Sequence, residues 1–254
     1  MSLVATENLA HRGDSNPSVN ESFEGTCMSH FLQQWLTPSP KFDLVSAKSS
    51  NRDQVERYVE QQFESIYGAK LTEFLPIFLT LSCADQLSAT TGICLGCDSQ
   101  KFFLEQYLDQ PIESELRKIF DEESNRRNVA EIGNLVATSR GASRLMLIVL
   151  ASVLSQAGYD WMVFTATKPL LHSLHKLGLE IHVIAEAKPA RLEKNSTADW
   201  GSYYENQPQV VAGRLSSARQ IVVDRSLFTL VQGFYKQKID SLAAKITEIS
   251  HSHV

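Results

Sequence analysis

Residues 128–184 constrain the fold more than any other part of the sequence. The run NVAEIGNLVAT leads through a polar turn into a strongly apolar stretch of helical length, which ends at Gly158. Two further strand patterns, YDWMVFT and EIHVI, follow, separated by a short helix that has Pro169 in its first turn. Strands that alternate with helices across short connections form a locally parallel sheet. The sequence therefore predicts an α/β fold with a mixed sheet and flanking helices.

The sequence that precedes residue 128 predicts a further strand, a helix and an antiparallel hairpin. FDLVSA begins at Phe42, and an amphipathic helix is expected over residues 52–67, with Gly68 as its stop. LPIFLTLSC and TGICLGC are expected to be strands joined by the polar turn ADQLSAT. FFLEQYLD and PIESELRKIF then predict a helical excursion.

Composition divides the 254-residue chain into three parts. Residues 1–41 are rich in Asn, Ser, Gly and Glu and predict a disordered tail. Residues 42–220 are expected to form the α/β domain, and residues 221–254 are expected to form an amphipathic helix. This helix is expected to pack on the domain or to pair with a second copy as a homodimer.

Charge and hydropathy exclude several classes of function. The net charge of −5 argues against a nucleic-acid partner. The longest apolar run, LMLIVLASVL, is half the length of a transmembrane segment, so none is expected. The first residues lack a secretory signal pattern, which predicts a cytoplasmic protein. Cys94 and Cys97 lack a second ligand pair and are expected to be buried strand cysteines, not a metal site.

The turn between the strand and the apolar helix is a candidate anion site. The backbone N–H groups and dipole of a helix N-terminus attract phosphate, and two arginines flank the turn. The candidate residues are Ser139, Arg140, Gly141, Ala142, Ser143 and Arg144. The alternative is an ordinary solvated turn before a helix.

Two polar residues interrupt the preceding strand. A period of two places Glu131, Gly133 and Leu135 on one face and Asn134 on the other. Glu131 is a candidate general base for an amine nucleophile, or a surface or strand-edge carboxylate paired with Arg126 or Arg127. Asn134 either orients a substrate or satisfies a bulge in the strand.

Polar and aromatic groups elsewhere are candidates for lining an acceptor pocket. Glu105 and Tyr107 lie in FLEQYLD, between the hairpin and the central strand, where they are either pocket residues or solvated side chains of a helix. Trp200, Tyr203 and Tyr204 form an aromatic loop that either walls a substrate pocket or anchors the loop to the core.

The order of these elements resembles the GNAT acyltransferase superfamily. The segment HKLGL at residues 175–179 is similar to that superfamily's short helix, glycine and apolar strand. The resemblance implies that the turn at residues 139–144 binds the pyrophosphate of an acyl carrier, and that Tyr203 or Tyr204 reprotonates the leaving thiolate. The turn has only Gly141, fewer glycines than is usual there, and this resembles the acyl-homoserine-lactone synthases. Acyl-CoA and acyl-carrier protein are both expected as donors.

A second resemblance covers most of the domain. Six blocks match the thermostable hemolysin family of bacterial proteins in order: YGAKLTEFLP, FFLEQYLDQPIE, AEIGNLVATSRGASR, WMVFTATKPLLHSLHKLGL, PARL and DWGSYYENQPQVVAG. The family name implies lysis of red cells, but the sequence contains no membrane-insertion device. A G-x-S-x-G elbow is absent, so nothing favours a lipase.

Taken together, these patterns predict an acyltransferase that moves an acyl group from a thioester to a small amine-type acceptor. The predicted catalytic residues are Glu131, Glu105 and Tyr204, and no metal is expected. The predicted substrate-binding residues are Asn134, Tyr107, Trp200 and Tyr203. The alternatives are a membrane-active hemolysin without catalytic activity and a catalytically inactive binding module with the same fold.

Overall fold

The structure is a computed structural model that describes residues 2–3, 40–139, 141–176, 180–192, 199–215 and 225–252. These residues contain one mixed sheet with the strand order β2-β3-β4-β5-β1-β6-β8-β7. Its strands are β1 (Ser2–Leu3), β2 (Lys41–Ser46), β3 (Ile77–Cys83), β4 (Gln86–Leu95), β5 (Val129–Ala137), β6 (Trp161–Ala166), β7 (Ile181–Glu186) and β8 (Gln209–Arg214). The α-helices are α1 (Arg52–Tyr67), α2 (Ile112–Phe120), α3 (Ala142–Gln156), α4 (Lys168–Lys176) and α5 (Arg225–Ser252). The predicted α/β class, with flanking helices and a C-terminal helix, is confirmed.

Helix α1 has the predicted bounds because its start and stop are encoded locally. Val55, Val59 and Phe63 recur at helical spacing and are buried. Gly68 ends the helix in the left-handed region with a φ of 65°, and its N–H group donates to the carbonyl of Glu64.

The hairpin differs from its prediction. Its turn consists of Ala84 and Asp85 alone, with φ values of 50° and 61°, as a type I′ turn requires. The polar residues that follow belong to β4. Thr90 and Thr91 are buried there because each hydroxyl donates to a backbone carbonyl, of Leu79 and Gly133 respectively.

Two other elements also differ from their predictions. FFLEQYLD forms only a short 3-10 helix, Phe103–Tyr107, because side chains from elsewhere in the fold hold its backbone N–H groups. Strand β8 was not predicted, although it pairs with both β6 and β7. Five of its six residues lie at the end of the block DWGSYYENQPQVVAG, and only the tertiary fold shows that the segment adds to the sheet.

Helices α3 and α5 cover one face of the sheet. Helix α3 is buried along nearly its whole length between the sheet and α5, in one apolar cluster with Leu242, Ala243 and Ile246 of α5. Lys245 also lies 3.7 Å from Asp43 of β2. The C-terminal helix therefore packs on the domain, which was one of its two expected roles.

The central strands β5 and β6 are parallel and separate along their length. Their pairing runs from Val129 opposite Trp161 to Ile132 opposite Phe164. Beyond these pairs β1 lies between them, with Leu3 opposite both Leu135 and Ala166. The predicted disordered tail, residues 1–41, includes residues 2–3, which instead form this strand, and Lys41, which begins β2; residues 1 and 4–39 lie outside the described residues.

Candidate functional site

The parting of β5 and β6 coincides with a β-bulge at Asn134. Asn134 has a φ of 49°, a conformation that asparagine tolerates better than most residues. The register between β4 and β5 shifts at the same place, between Thr90 and Gly92. The bulge was one of the two roles expected for Asn134, and the structure supports it.

The bulge changes which side chains share a face of β5. Ile132 and Leu135 are three residues apart, yet both pack in the cluster that contains α3. The predicted alternation, which separated Glu131 from Asn134, is therefore wrong, because the extra residue reverses the alternation between 132 and 135. Glu131 and Asn134 both lie on the opposite face.

Only one of the two polar atoms of the Asn134 side chain has a hydrogen-bond partner among the described residues. Its Oδ1 accepts a hydrogen bond from the N–H of Leu75 at 3.2 Å. The residue is 1% exposed, and its Nδ2 has no hydrogen-bond partner within the described part of the chain. A buried donor without an acceptor is costly, so Nδ2 is suited to bind a carbonyl that enters the site.

Glu131 is buried and receives two backbone hydrogen bonds. Its carboxylate oxygens accept from the N–H groups of Phe103 and Leu104 at 2.8 and 3.0 Å. Burial raises the pKa of Glu131 because the charged form loses its hydration. The carboxylate therefore both anchors the 3-10 helix and is a stronger base than an exposed glutamate.

Glu105 belongs to a buried ion cluster. Its two oxygens accept from Arg126 at 2.7 and 2.8 Å, and from the N–H groups of Ile112 and Phe102, both at 2.9 Å. Burial alone would raise the pKa of Glu105, but these bonds lower it. Four donors saturate the carboxylate, an arrangement typical of an anchor and unsuited to proton transfer.

Arg126 organises this cluster, and its role there was not foreseen. It also binds Glu113 at 2.9 Å and lies 4.5 Å from the centre of the Phe102 ring. The sequence alone suggested Arg126 or Arg127 as a partner of Glu131. In the structure Arg127 instead pairs with the exposed Asp98. Nothing in the sequence distinguishes the two adjacent arginines.

The aromatic candidates come together on the Glu131 face. The hydroxyl groups of Tyr107 and Tyr204 are 2.6 Å apart. The ring of Trp200 packs at a tilt against those of Tyr203 and Phe103, with ring centres 5.7 and 6.0 Å apart. The Nε1 atom of Trp200 is buried without a partner among the described residues.

The pKa values of the two tyrosines that form the hydrogen bond are both raised. Burial raises the pKa of Tyr204 to about 12, and burial together with the neighbouring Tyr204 hydroxyl raises that of Tyr107 further. Both groups are therefore protonated at neutral pH.

A cavity of about 270 Å³ opens beside this hydrogen-bonded pair. Tyr107 lines it, together with Ile184 and Ala185 of β7. Its rim carries charged groups of both signs: Asp109, Glu115, Glu186, Lys188 and Arg191.

The candidate anion turn lies at the carboxyl end of β5. Gly141 precedes α3 with a φ of 77°, and the N–H of Ala142 donates to the carbonyl of Ser139. Ser143 is buried and Arg144 is half-buried in the first helical turn. Arg140 and residues 177–179 of the HKLGL segment lie outside the described residues.

Other site types find no support in the described residues. Among them no cluster of three metal-ligating side chains occurs, and none of their helices is long and apolar enough to cross a membrane.

Cys94 is buried and Cys97 is half-buried, and both are free thiols. Burial raises the pKa of Cys94 to about 12, so this thiol is not a reactive one.

The fold and the site define an α/β protein whose parallel central strands part next to a helix N-terminus, with a polar and aromatic lining on one face. The thermostable hemolysin family matches residues 45–219 of the sequence, and the chain belongs to this family. The resemblance stated from the sequence motifs is confirmed.

Several solved structures are similar to this chain. FeeM, an N-acyl amino acid synthase from uncultured soil microbes, has 16% identity and a TM-score of 0.48, with 75% of this chain and 99% of that chain covered. BjaI, a CoA-dependent acyl-homoserine lactone synthase, has 7% identity and a TM-score of 0.48, with 80% and 90% covered. The AHL synthase LasI has 8% identity and a TM-score of 0.46, with 69% and 90% covered. No curated protein sequence matches the chain significantly.

Proposed function

We propose that this protein transfers an acyl group from a thioester, carried on CoA or on acyl-carrier protein, to a small amine acceptor. The observation that carries the proposal is the parting of β5 and β6 beside Asn134, whose Nδ2 has no hydrogen-bond partner among the residues that the structure describes. The parted strands offer main-chain groups to an extended, amide-bearing arm, and Asn134 offers a buried donor to a carbonyl at its end.

The donor's phosphates are assigned to the turn at residues 139–144. This turn begins α3, whose dipole and first N–H groups favour an anion. Arg144 adds a positive charge in the first turn. The acidic net charge of the chain is compatible with this assignment, because a single anion-binding site is sufficient for a pyrophosphate or for a carrier's phosphodiester.

The mechanism assigned to the site requires an ionised Glu131 as the base and a protonated Tyr204 as the acid. The acceptor amine attacks the thioester carbonyl carbon, Glu131 takes the amine proton, and the carbon–sulfur bond breaks. Tyr204 then gives its proton to the leaving thiolate, while Tyr107 donates a hydrogen bond to Tyr204. A raised carboxylate pKa and a protonated phenol suit these two roles.

Glu105 is assigned to positioning. Together with Arg126 it holds the loop that carries Tyr107, and it is kept ionised by its four donors. The acceptor is assigned to the cavity beside Tyr107, whose size suits a small molecule such as an amino acid. Trp200 and Tyr203 form the apolar wall of the site.

The test is a mass-spectrometric assay of acyl transfer. Acyl-CoA species of increasing chain length and the matching acyl-carrier proteins are incubated with amino acids and simple amines. Asn134→Gly suits the positive φ but lacks the amide, so we expect turnover to fall at least about tenfold. Arg127→Met, on a surface ion pair away from the Glu131 face, should match the unmodified protein.

The rival function is membrane lysis, which the family name implies. Leakage of dye from liposomes by the pure protein, unchanged by Glu131→Gln and Asn134→Gly and without acyl transfer from any donor, would overturn the proposal. An inactive binding module would bind the donors and produce no acylated amine.

A further inference from the structure

The opening between β5 and β6 is closed by the chain itself. Ser2 lies opposite Thr165 of β6, and Leu3 lies opposite both Leu135 of β5 and Ala166 of β6. Both contacts are parallel pairings, so β1 runs in the same direction as its two neighbours. The strand has only two residues.

The backbone groups of β5 and β6 that flank β1 would cost free energy if they had no hydrogen-bond partner. Every residue of β5 and of β6 is buried. Buried N–H and C=O groups lose their hydrogen bonds to water, and they require another partner inside the protein. Two parting, buried strands therefore form a slot that takes an extended main chain, and β1 is its occupant in this structure.

We propose that Ser2–Leu3 is an intramolecular competitor that must leave the slot before an amide-bearing carrier arm can enter it. The inference rests on the proposed function, because the displacing ligand is the arm of the thioester donor. The arm carries amide groups along an extended chain, and these have the same hydrogen-bonding chemistry as the backbone of β1.

The shortness of β1 makes such an exchange feasible. A two-residue strand makes few hydrogen bonds, in contrast to β2, which pairs with β3 over six residues. At equilibrium, only those molecules in which β1 has left the slot can bind the donor. The apparent dissociation constant is then the intrinsic one divided by that fraction.

The first experiment uses calorimetry to compare the binding of CoA to the unmodified chain and to Leu3→Pro. Proline cannot donate to a ladder and is excluded from the interior of a sheet, so this variant should vacate the slot. We expect Leu3→Pro to bind CoA about tenfold more tightly. Leu3→Val, which keeps the N–H group and the preference for extended backbone, should bind like the unmodified chain.

A second measurement does not depend on any variant. Hydrogen exchange of the unmodified chain is followed by mass spectrometry with and without saturating CoA. Displacement predicts faster exchange in the fragment that contains residues 2–3 when CoA is bound. Unchanged or slower exchange of that fragment in the presence of bound CoA would overturn the competition.

A peptide separates failure of this inference from failure of the proposed function. The hexapeptide MSLVAT should bind Leu3→Pro at least tenfold more tightly than it binds the unmodified chain. If the peptide binds Leu3→Pro more tightly than the unmodified chain while CoA binds neither protein, the slot and its occupant stand and CoA is refuted as the carrier. If CoA binds both proteins equally, the proposed function stands and the competition by β1 is refuted.

Discussion

Replacing Arg126 with methionine should destabilise the protein by about 3–5 kcal/mol, the usual cost of removing one partner of a buried ion pair. Arg126 donates two hydrogen bonds to Glu105 and one to Glu113, and it also binds the carbonyls of Cys97 and Gln100. The side chains of Arg126 and Glu105 are each only 11% exposed. The substitution therefore leaves the charge of Glu105 buried without its counter-ion.

The assay is urea unfolding at pH 7, followed by circular dichroism. With an m-value of about 2 kcal/mol/M, the midpoint should fall by roughly 2 M. The melting temperature should fall by roughly 10 °C, from about 2–4 °C per kcal/mol for a domain of this size. The matched control is Arg127→Met, because the adjacent Arg127 pairs with Asp98 on the surface and its loss should leave the midpoint unchanged.

The pH dependence provides a second readout of the same substitution. The pKa of Glu105 in the folded state is lowered from its ordinary value of 4.5. Its stabilising contribution is therefore present above pH 4.5 and is lost as the pH falls through the lowered pKa. Arg126→Met should weaken this acid sensitivity. Equal midpoints for Arg126→Met and Arg127→Met at pH 7 would refute the assignment of Glu105 and Arg126 as anchors.

Two further predictions concern the loop that carries the aromatic residues. Gly201→Ala should destabilise by at least about 2 kcal/mol in urea unfolding, because the φ of Gly201 is +49° and a Cβ there would lie 1.9 Å from the carbonyl oxygen of Tyr67. Gly68→Ala, with a φ of +65° and open space around its Cβ position, should cost only about 1 kcal/mol. Tyr204→Phe should cost about 1–3 kcal/mol because it leaves the buried hydroxyl of Tyr107 without its 2.6 Å partner, and adding Tyr107→Phe should recover most of that loss. A double variant that is less stable than Tyr204→Phe alone would contradict this account.

Local patterns in the sequence were sufficient for most of the helices and strands. Helix α1 and its stop at Gly68 depend on residue spacing and on one residue that tolerates a positive φ. The alternation of strand and helix from β5 to β7 depends on apolar periodicity in the same way. The bounds of the hairpin were not recoverable, because Thr90 and Thr91 are polar residues whose burial depends on carbonyls of other strands.

The candidate site was identified in part from residue types alone. The sequence indicated Glu131, Asn134 and the aromatic loop as chemically notable, and the structure brings them to one face of the sheet. It did not indicate that Glu131 and Asn134 share that face, because a bulge is invisible to a rule of strict alternation. It also did not distinguish Arg126 from Arg127.

The sequence by itself determined the α/β class and the family, since these follow from local periodicity and from ordered motifs. Only the tertiary structure decided that Tyr107 meets Tyr204, 97 residues away, and that Ser2–Leu3 enters the sheet between β5 and β6. The physical reason is that a helix or strand is favoured by its nearest neighbours along the chain. The hydrogen bonds that complete a site join groups whose proximity exists only after the whole sheet has formed.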